Sequence, residues 1–337
     1  MLNSITSVLD DWLQLPAWPG LAQRDVASLL VLALFVLLFA WELRAGHCRL
    51  RARRARNSYL TNLGILIVND VTLSLLAVGS LWALADRYSG FGLMSGIENP
   101  ILKGTLALLL LDLGLYGWHF ACHRFDGLWR FHRVHHSDLA MNVSTAFRLH
   151  VVELLATTLL KAAMVVALGI NATLLLVSET LMTLLVMFHH ANVRFAAEGM
   201  LARVFIVPAL HRVHHSQLRS QHDSNYGAAF SIWDRLFGTL LETEPAAIGL
   251  HNVGEQGIWD TIRYGFASLK PPVPAAVHAM IAEAAYFRAE RRGFQPGFEL
   301  GDWIEAEREV HARSRRRKHA AAKPARCGKP QYCPQPR

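Results

Sequence analysis

The hexapeptide His-Arg-Val-His-His-Ser occurs at residues 132–137 and again, unchanged, at residues 211–216. Each copy carries three histidines at spacings of three and one, and a further pair, His119 and His123, lies at the end of a long apolar run. Imidazole is a common ligand for iron, zinc and copper. The repeat and its apolar surroundings therefore predict a metal site held at a membrane surface.

The composition favours an integral membrane protein. Of the 337 residues, 52% are hydrophobic and only 18% are charged, whereas an average soluble domain is about a quarter charged. The formal net charge is +8, and much of the basic excess lies in Arg44–Arg56 and Arg313–Lys318. Neither stretch alternates with aromatic residues as a base-stacking surface would, so we expect no nucleic-acid partner.

Five apolar segments approach the roughly 20 residues that a bilayer requires. The fourth and fifth are separated only by a short break around Gly169 and Asn171, and they could form a hairpin that spans the membrane fully or part way. A sixth segment near Met200–Leu210 is a weaker alternative, because it is short and contains Arg203 and Pro208. The five predicted spans are residues 26–43, 60–85, 101–120, 151–170 and 172–188.

The charge pattern predicts the topology. Six arginines between Arg44 and Arg56 follow the first span, and the positive-inside rule places them in the cytoplasm. Counting spans forward puts every histidine cluster and the C-terminus on the cytoplasmic side of an inner membrane. No clear signal peptide opens the chain, and we expect reduced cysteines.

Changes in composition divide the sequence into five parts. After Pro271–Pro274 the chain turns to two amphipathic helical patterns broken by Gly293–Gly297, and the basic tail is typical of disorder. The predicted parts are an N-terminal segment 1–25, a membrane metal domain 26–245, a linker 246–275, a small helical module 276–313 and a disordered tail 314–337. The predicted fold class is an all-α membrane protein with a histidine-rich helical cap.

Nine histidines are the candidate metal ligands, too many for one tetrahedral zinc. They suit two ions, and a dinuclear iron site that binds O2 needs strong neutral donors of this kind. The nine are His119, His123, His132, His135, His136, His190, His211, His214 and His215.

Several other polar residues could support the ligands. Asp112 and Tyr116 share a helical face with the histidines of the third span, and Glu179 shares a face with His190. A carboxylate inside a membrane is a functional candidate by default. Asp112 and Glu179 could orient imidazoles from behind, or could bond to a neighbouring helix. His189 and His222 lie close to the clusters in sequence. The remaining candidates for supporting the ligands or contacting the substrate are His150, Glu153, Asn192 and Asn225.

The histidine pattern resembles the fatty acid hydroxylase superfamily, also called the sterol desaturase family. The family's HxxxH, HxxHH and second HxxHH elements read here as His119–His123, His132–His136 and His211–His215. The resemblance also covers further short elements. These are His190 with Asn192, Asn225-Tyr226-Gly227, Trp233–Thr239, and Arg148 with His150 and Glu153, although Val151 replaces a frequent proline.

This resemblance implies a bacterial-type lipid hydroxylase with two irons, which uses O2 and takes electrons from a separate protein. Zinc could replace iron on purification. A desaturase on the same site, a metal transporter or sensor, and a zinc hydrolase remain open. Residues 276–310 resemble the small helical module DUF2934, which has no established chemistry.

Overall fold

The computed structural model describes residues 23–75, 81–245, 247–250, 253–267, 269 and 275–321. It divides into two compact units, residues 1–268 and residues 269–337. Across the described residues the chain is helical, and its only β-type pairings are two isolated bridges, Phe205 with Phe230 and Ser216 with Ile248. The predicted all-α class is therefore confirmed.

The first unit contains twelve α-helices in its described part, and a short 3₁₀ helix at Val143–Phe147. In chain order the helices are α1 (Gln23–Ala45), α2 (Ala52–Leu75), α3 (Leu81–Tyr88), α4 (Pro100–Arg124), α5 (Asp126–His136), α6 (Val151–Leu168), α7 (Ala172–His190), α8 (Glu198–Leu201), α9 (Pro208–His214), α10 (Arg219–His222), α11 (Ile232–Phe237) and α12 (Ile258–Phe266).

Four of these helices, α1, α4, α6 and α7, are long and apolar enough to cross a bilayer. They coincide with the first, third, fourth and fifth predicted spans, and the chain is a multi-pass membrane protein. The second predicted span, 60–85, does not belong to this set; its described residues lie in α2 and α3, and residues 76–80 fall outside the described residues. Helix α2 buries Thr61, Asn62 and Asn69, and these polar side chains lower its hydropathy.

The hairpin of α6 and α7 turns within three residues. Gly169 ends α6 in the left-handed conformation with φ 71°, which glycine adopts without steric cost. A Cβ atom there would lie 1.8 Å from the carbonyl oxygen of Phe91, so no other residue fits. Asn171 then begins α7 by accepting a hydrogen bond from the backbone N–H of Leu174.

A one-residue break between α4 and α5 sets the orientation of the histidines in these two helices. Phe125 is extended, with φ −109° and ψ 120°, and it ends α4 and begins α5 at the same time. The chain therefore changes direction sharply, and the last turn of α4 faces α5. This local geometry brings His119 and His123 against His132 and His136.

The second unit is a pair of helices, α13 (Ala275–Arg291) and α14 (Glu299–Ala321). Ile281, Ala285, Ala306 and Val310 form its core. The tail predicted to be disordered from residue 314 is helical as far as Ala321, because α14 continues through it; the remainder lies outside the described residues.

The predicted linker 246–275 contains α12. Cys48 and Cys122 are free thiols, and Cys327 and Cys333 fall outside the described residues.

Candidate metal centre

The structure gathers the nine predicted ligand histidines into two buried groups. Within each group the potential donor atoms all lie within 4.8 Å of one another. Eight of the nine residues are buried, and His119 is half-buried. Group A consists of His119, His123, His132, His136 and His214, and group B consists of His135, His190, His211 and His215.

The two hexapeptides exchange one histidine each. In either copy the first and fifth positions lie one helical turn apart and share a group: His132 and His136 in group A, His211 and His215 in group B. The fourth position points the other way. His135 joins group B and His214 joins group A, while α4 completes group A and the end of α7 completes group B.

The Nε2 atoms converge inside each group. In group A, Nε2 of His132 lies 3.1 Å from Nε2 of His119 and 3.2 Å from Nε2 of His136. In group B, Nε2 of His190 lies 3.0 Å from the Nε2 atoms of both His135 and His211. Two nitrogens bound at about 2.1 Å to one ion at right angles would be about 3 Å apart. The spacing therefore fits neighbouring ligands of a single ion.

Hydrogen bonds on the opposite ring nitrogen fix the tautomers. The Nδ1 atoms of His119, His190 and His214 lie 2.7–2.8 Å from backbone carbonyl oxygens. A carbonyl only accepts, so each Nδ1 must donate its proton, and in a neutral imidazole Nε2 then carries a lone pair. The protein holds these rings in the form that binds metals.

Imidazole nitrogens without a hydrogen-bond partner indicate whether a metal cation fits within the two groups. Nε2 of His214 is buried and has no hydrogen-bond partner among the described residues. Protonation is disfavoured, because burial, reinforced by neighbouring imidazoles, holds the pKa of His135, His211 and His214 well below the usual range. Converging lone pairs repel one another unless a cation lies among them. The donor set thus fits a bound metal in each group.

Two carboxylates support group A. Glu153 at the start of α6 accepts a 2.6 Å hydrogen bond from Nδ1 of His132, and both side chains are buried. Asp223 accepts from Nδ1 of His123 at 3.2 Å. A carboxylate behind a ligand imidazole fixes the ring and raises its basicity. Glu153 was predicted as a supporting residue, whereas Asp223 was missed although it directly follows His222.

Asp112 and Tyr116 both bind the segment 225–239, and for Asp112 this agrees with the predicted alternative of a bond to a neighbouring element. Among the described residues Asp112 contacts no imidazole; it accepts hydrogen bonds from the backbone N–H groups of Ala229 and Phe230 and from Nε1 of Trp233. The hydroxyl of Tyr116 bonds to that of Thr239. Both residues hold the loop 225–239 against α4, and this loop carries the Tyr226 carbonyl that orients His119.

Glu179 and His150 also lie apart from the ligands. Glu179 pairs with Lys161 across the hairpin, with 2.7 Å between Oε2 and Nζ, so of the two predicted alternatives the structure favours the bond to a neighbouring helix. His150 caps α6 through Nδ1 and bonds through Nε2 to the Ile262 carbonyl.

The four remaining candidates surround the groups. The ring of His189 lies 4.0 Å from that of His211, centroid to centroid, next to group B. His222 stacks on Trp129 and lies close to His123. Asn192 bonds to the backbone of Cys48, and Asn225 to the carbonyls of Leu210 and Leu241.

Sequence reasoning missed Glu42, a carboxylate inside apolar α1. Its Oε1 accepts the backbone N–H groups of Asn192 at 2.6 Å and Val143 at 2.8 Å, and its Oε2 accepts from the hydroxyl of Tyr59. Glu42 thereby ties α1 to the chain directly after His190. The rule that intramembrane carboxylates have a function would have identified it.

The arginines of the two hexapeptides anchor them on opposite sides. Arg133 donates to the carbonyls of Tyr264 and Ala267 in and after α12. Arg212 donates to the Val193 carbonyl and lies 3.9 Å from the Glu198 carboxylate. Each arginine bonds to a neighbouring segment and not to the imidazoles of its own hexapeptide. The arginine and the histidines of the repeat therefore make different contacts.

Comparison with known proteins agrees with this geometry. Residues 104–239 match the family model described as fatty acid hydroxylase. This segment is therefore similar to the fatty acid hydroxylase family. Residues 276–312 match the model of DUF2934, a protein family of unknown function. Both resemblances predicted from the motifs are confirmed, and the hydroxylase segment includes all nine histidines.

Individual relatives of the hydroxylase segment are lipid hydroxylases by name. The chain is 34% identical over 188 residues to ornithine lipid hydroxylase OlsE of Rhizobium tropici, covering 51% of this chain and 56% of that protein. It is 33% identical over 205 residues to alkylglycerol monooxygenase of Danio rerio, covering 60% and 45%. With cholesterol 25-hydroxylase of Rattus norvegicus it shares 29% over 162 residues, covering 42% and 50%.

The chain thus spans about half the length of these curated relatives. No solved structure matches it.

Proposed function

We propose that this chain is a membrane-bound hydroxylase that inserts oxygen from O2 into a C–H bond of a lipid. Two irons, one in group A and one in group B, are its cofactors. The observation that carries the proposal is the convergence of nine imidazoles, eight of them buried, into two groups whose donor atoms lie close together. The printed names of the relatives, all hydroxylases or monooxygenases of lipids, support the reaction class.

Bound iron would supply the activation of O2, which an imidazole shell withstands better than a thiolate shell would. The chain's own residues keep the donors in place. Glu153 and Asp223 hold the protons of His132 and His123 on Nδ1, so that Nε2 stays free. Burial keeps water away from the groups and disfavours protonation of His135, His211 and His214, whose pKa it lowers.

The positions of the groups suit a lipid substrate and a separate electron donor. His119, His123 and His190 lie in the last turns of two helices that can cross the membrane. A fatty acyl, sterol-like or aminolipid substrate can therefore reach the irons from the bilayer. Electrons come from another protein on the cytoplasmic side, and zinc is the metal expected to replace iron on purification.

The test is a lipid mass spectrum of cells that express the wild type, compared with His135→Ala, both grown in air. We expect a lipid that gains one oxygen atom with the wild type only. His311→Ala, which changes a histidine of the second unit, is the control and should behave as wild type. A lipid that loses two hydrogens would replace the hydroxylase with a desaturase. Equal lipid profiles with iron-loaded wild type would favour a metal transporter or sensor.

The proposed topology places both groups and the C-terminus in the cytoplasm, with the chain in the inner membrane. The arginines after α1 support this orientation. Reporter fusions after Arg56 and at the C-terminus should both give cytoplasmic signals. A periplasmic signal from either fusion would reject the orientation.

The proposed catalytic domain is residues 26–245, followed by a separate module at 276–313. We expect a chain lacking 276–337 to keep most of its activity, because all nine histidines belong to the first unit. Loss of activity in a well-expressed truncation would make the module part of the enzyme.

A further inference from the structure

Helix α12 has an exposed apolar side that the hydroxylase proposal does not use. Trp259 is 68% exposed and Phe266 is 60% exposed. They are seven residues apart and therefore lie on the same side of the helix. Ile258 and Ile262 are half-buried along one edge of this side, and the charged Arg263 and Asp260 form the other edge. We call Ile258, Trp259, Ile262 and Phe266 the apolar edge.

The opposite side of α12 is held tightly, so the exposed side cannot rotate inward. Thr261 is buried and its hydroxyl accepts from Arg148. A Cβ atom on Gly265 would lie 2.4 Å from Cδ2 of His150, which shows how closely the helix backbone approaches that ring. Arg133 donates to the carbonyl of Tyr264, and its guanidinium lies 4.3 Å from the centre of the Tyr264 ring.

Contacts at both ends of α12 indicate its depth relative to the membrane. The ring of Phe266 lies 4.9 Å from that of His150, centroid to centroid, and His150 directly precedes α6, a helix able to cross the bilayer. At the other end, Ile258 packs against Gly64, close to Leu60, where the apolar part of α2 begins. Both ends therefore lie level with the start of an apolar segment.

We propose that α12 lies in the interface between the membrane and the cytoplasm, with its apolar edge among the lipid acyl chains. Tryptophan and phenylalanine on one side of a short helix, with a basic residue beside them, are typical of interfacial helices. Arg263 is exposed and placed to meet anionic headgroups. Because both ends of α12 lie beside apolar helices, the bilayer is the occupant that the contacts favour.

This attachment has a consequence for the metal groups. Arg133 lies between His132 and His135 in the sequence, and it joins α5 to the carbonyls of Tyr264 and Ala267. A helix fixed in the interface therefore fixes the depth of the histidine-bearing helix beside it. The proposal does not depend on the hydroxylase activity, because it concerns only where α12 lies.

Spin labelling of the full-length chain in liposomes tests the position of α12. The background carries Cys48→Ser, Cys327→Ser and Cys333→Ser, and keeps the buried Cys122. Nitroxide labels are placed by Trp259→Cys and Phe266→Cys, both at exposed positions where no cavity is created. Asp260→Cys is the matched control on the polar edge of the same helix. The liposomes contain phosphatidylcholine and phosphatidylglycerol.

Collision with membrane-soluble O2 is then compared with collision with a water-soluble nickel chelate. We expect labels at positions 259 and 266 to be relaxed mainly by O2, and the label at position 260 to be relaxed more by the nickel chelate. If the nickel chelate reaches positions 259 and 266 as readily as position 260, the apolar edge faces water and the proposal is wrong. A surface for a soluble protein partner would then be indicated.

Discussion

His135 and His214 hold the same position in two identical hexapeptides, and each lies in the group formed around the other copy. The exchange follows from the helix period. Positions one and five lie on one side of a turn, and position four lies about 100° behind position five. Where α5 and α9 face each other, that offset sends each fourth-position histidine across to the opposite group.

The exchange predicts an unusual pattern of metal loss in double variants. We expect His135→Ala and His211→Ala together to retain about one metal ion per chain, because both changes fall in group B. His132→Ala with His135→Ala should retain almost none, although both changes lie in one hexapeptide. Metal content of the purified proteins by mass spectrometry measures this. The reverse result, with greater loss in the first pair, would show that each hexapeptide holds its own ion.

Glu153→Gln should weaken metal binding in group A alone. The amide cannot accept the Nδ1 proton of His132 as strongly as the carboxylate does, and such supporting changes typically cost about 10–100-fold in affinity. Competition titration with a chelator measures the affinity of each ion. Glu179→Gln is the control, since this carboxylate pairs with Lys161 and contacts no imidazole among the described residues. An equal loss in both variants would contradict the role of Glu153.

Asp112→Asn should lower the stability of the loop 225–239. One carboxylate oxygen becomes an NH2 group, which cannot accept from Trp233 or Phe230, and a buried donor left unpaired costs about 1–3 kcal/mol. Thermal unfolding in detergent, followed by tryptophan fluorescence, should give a lower midpoint. Asp70→Asn changes an exposed carboxylate in α2 and should leave the midpoint unchanged. Equal midpoints for both variants would remove Asp112 from this role.

Glu42→Ala should reduce metal in group B more than in group A. The side chain holds the backbone N–H of Asn192, two residues after His190, and without it the end of α7 loses an anchor. Glu42→Gln keeps one accepting oxygen and should retain most of the metal. Metal content of the two variants, at matched expression, separates these outcomes. An Ala variant that keeps both ions would mean that α7 ends correctly without Glu42.

The helical class and four membrane-crossing helices could be predicted from the sequence. The sequence also identified which histidines the structure brings together. Periodicity and hydropathy depend only on neighbours in the chain, and they carried those predictions. The assignment of each histidine to a group was beyond reach, because it depends on how α5 and α9 face each other across the fold. Asp112 was a candidate because a carboxylate is costly to bury in a membrane. Its partners could not be predicted, since they come from a loop more than a hundred residues later.

Two details of the fold depend on contacts that the sequence does not show. The second predicted span contains enough apolar residues, but Asn62 and Asn69 are turned inward to bond with Asp138 and the Leu149 carbonyl. Helix α12 lies within the predicted linker, because nine residues give too little periodicity to distinguish a helix from a polar loop. The sequence feature that indicates its proposed position at the membrane is Trp259 and Phe266 on one side of the helix. A search for aromatic residues seven apart would have found them.

The exchange of histidines between the hexapeptides also bears on when the protein could first hold its ions. The hairpin of α6 and α7 is synthesised between the two copies, so neither group is complete until that hairpin has been inserted and the chain has returned to the same side. Metal loading would then act as a checkpoint on membrane insertion. A wrongly inserted chain would keep its imidazoles apart, and neither group could then hold a metal ion.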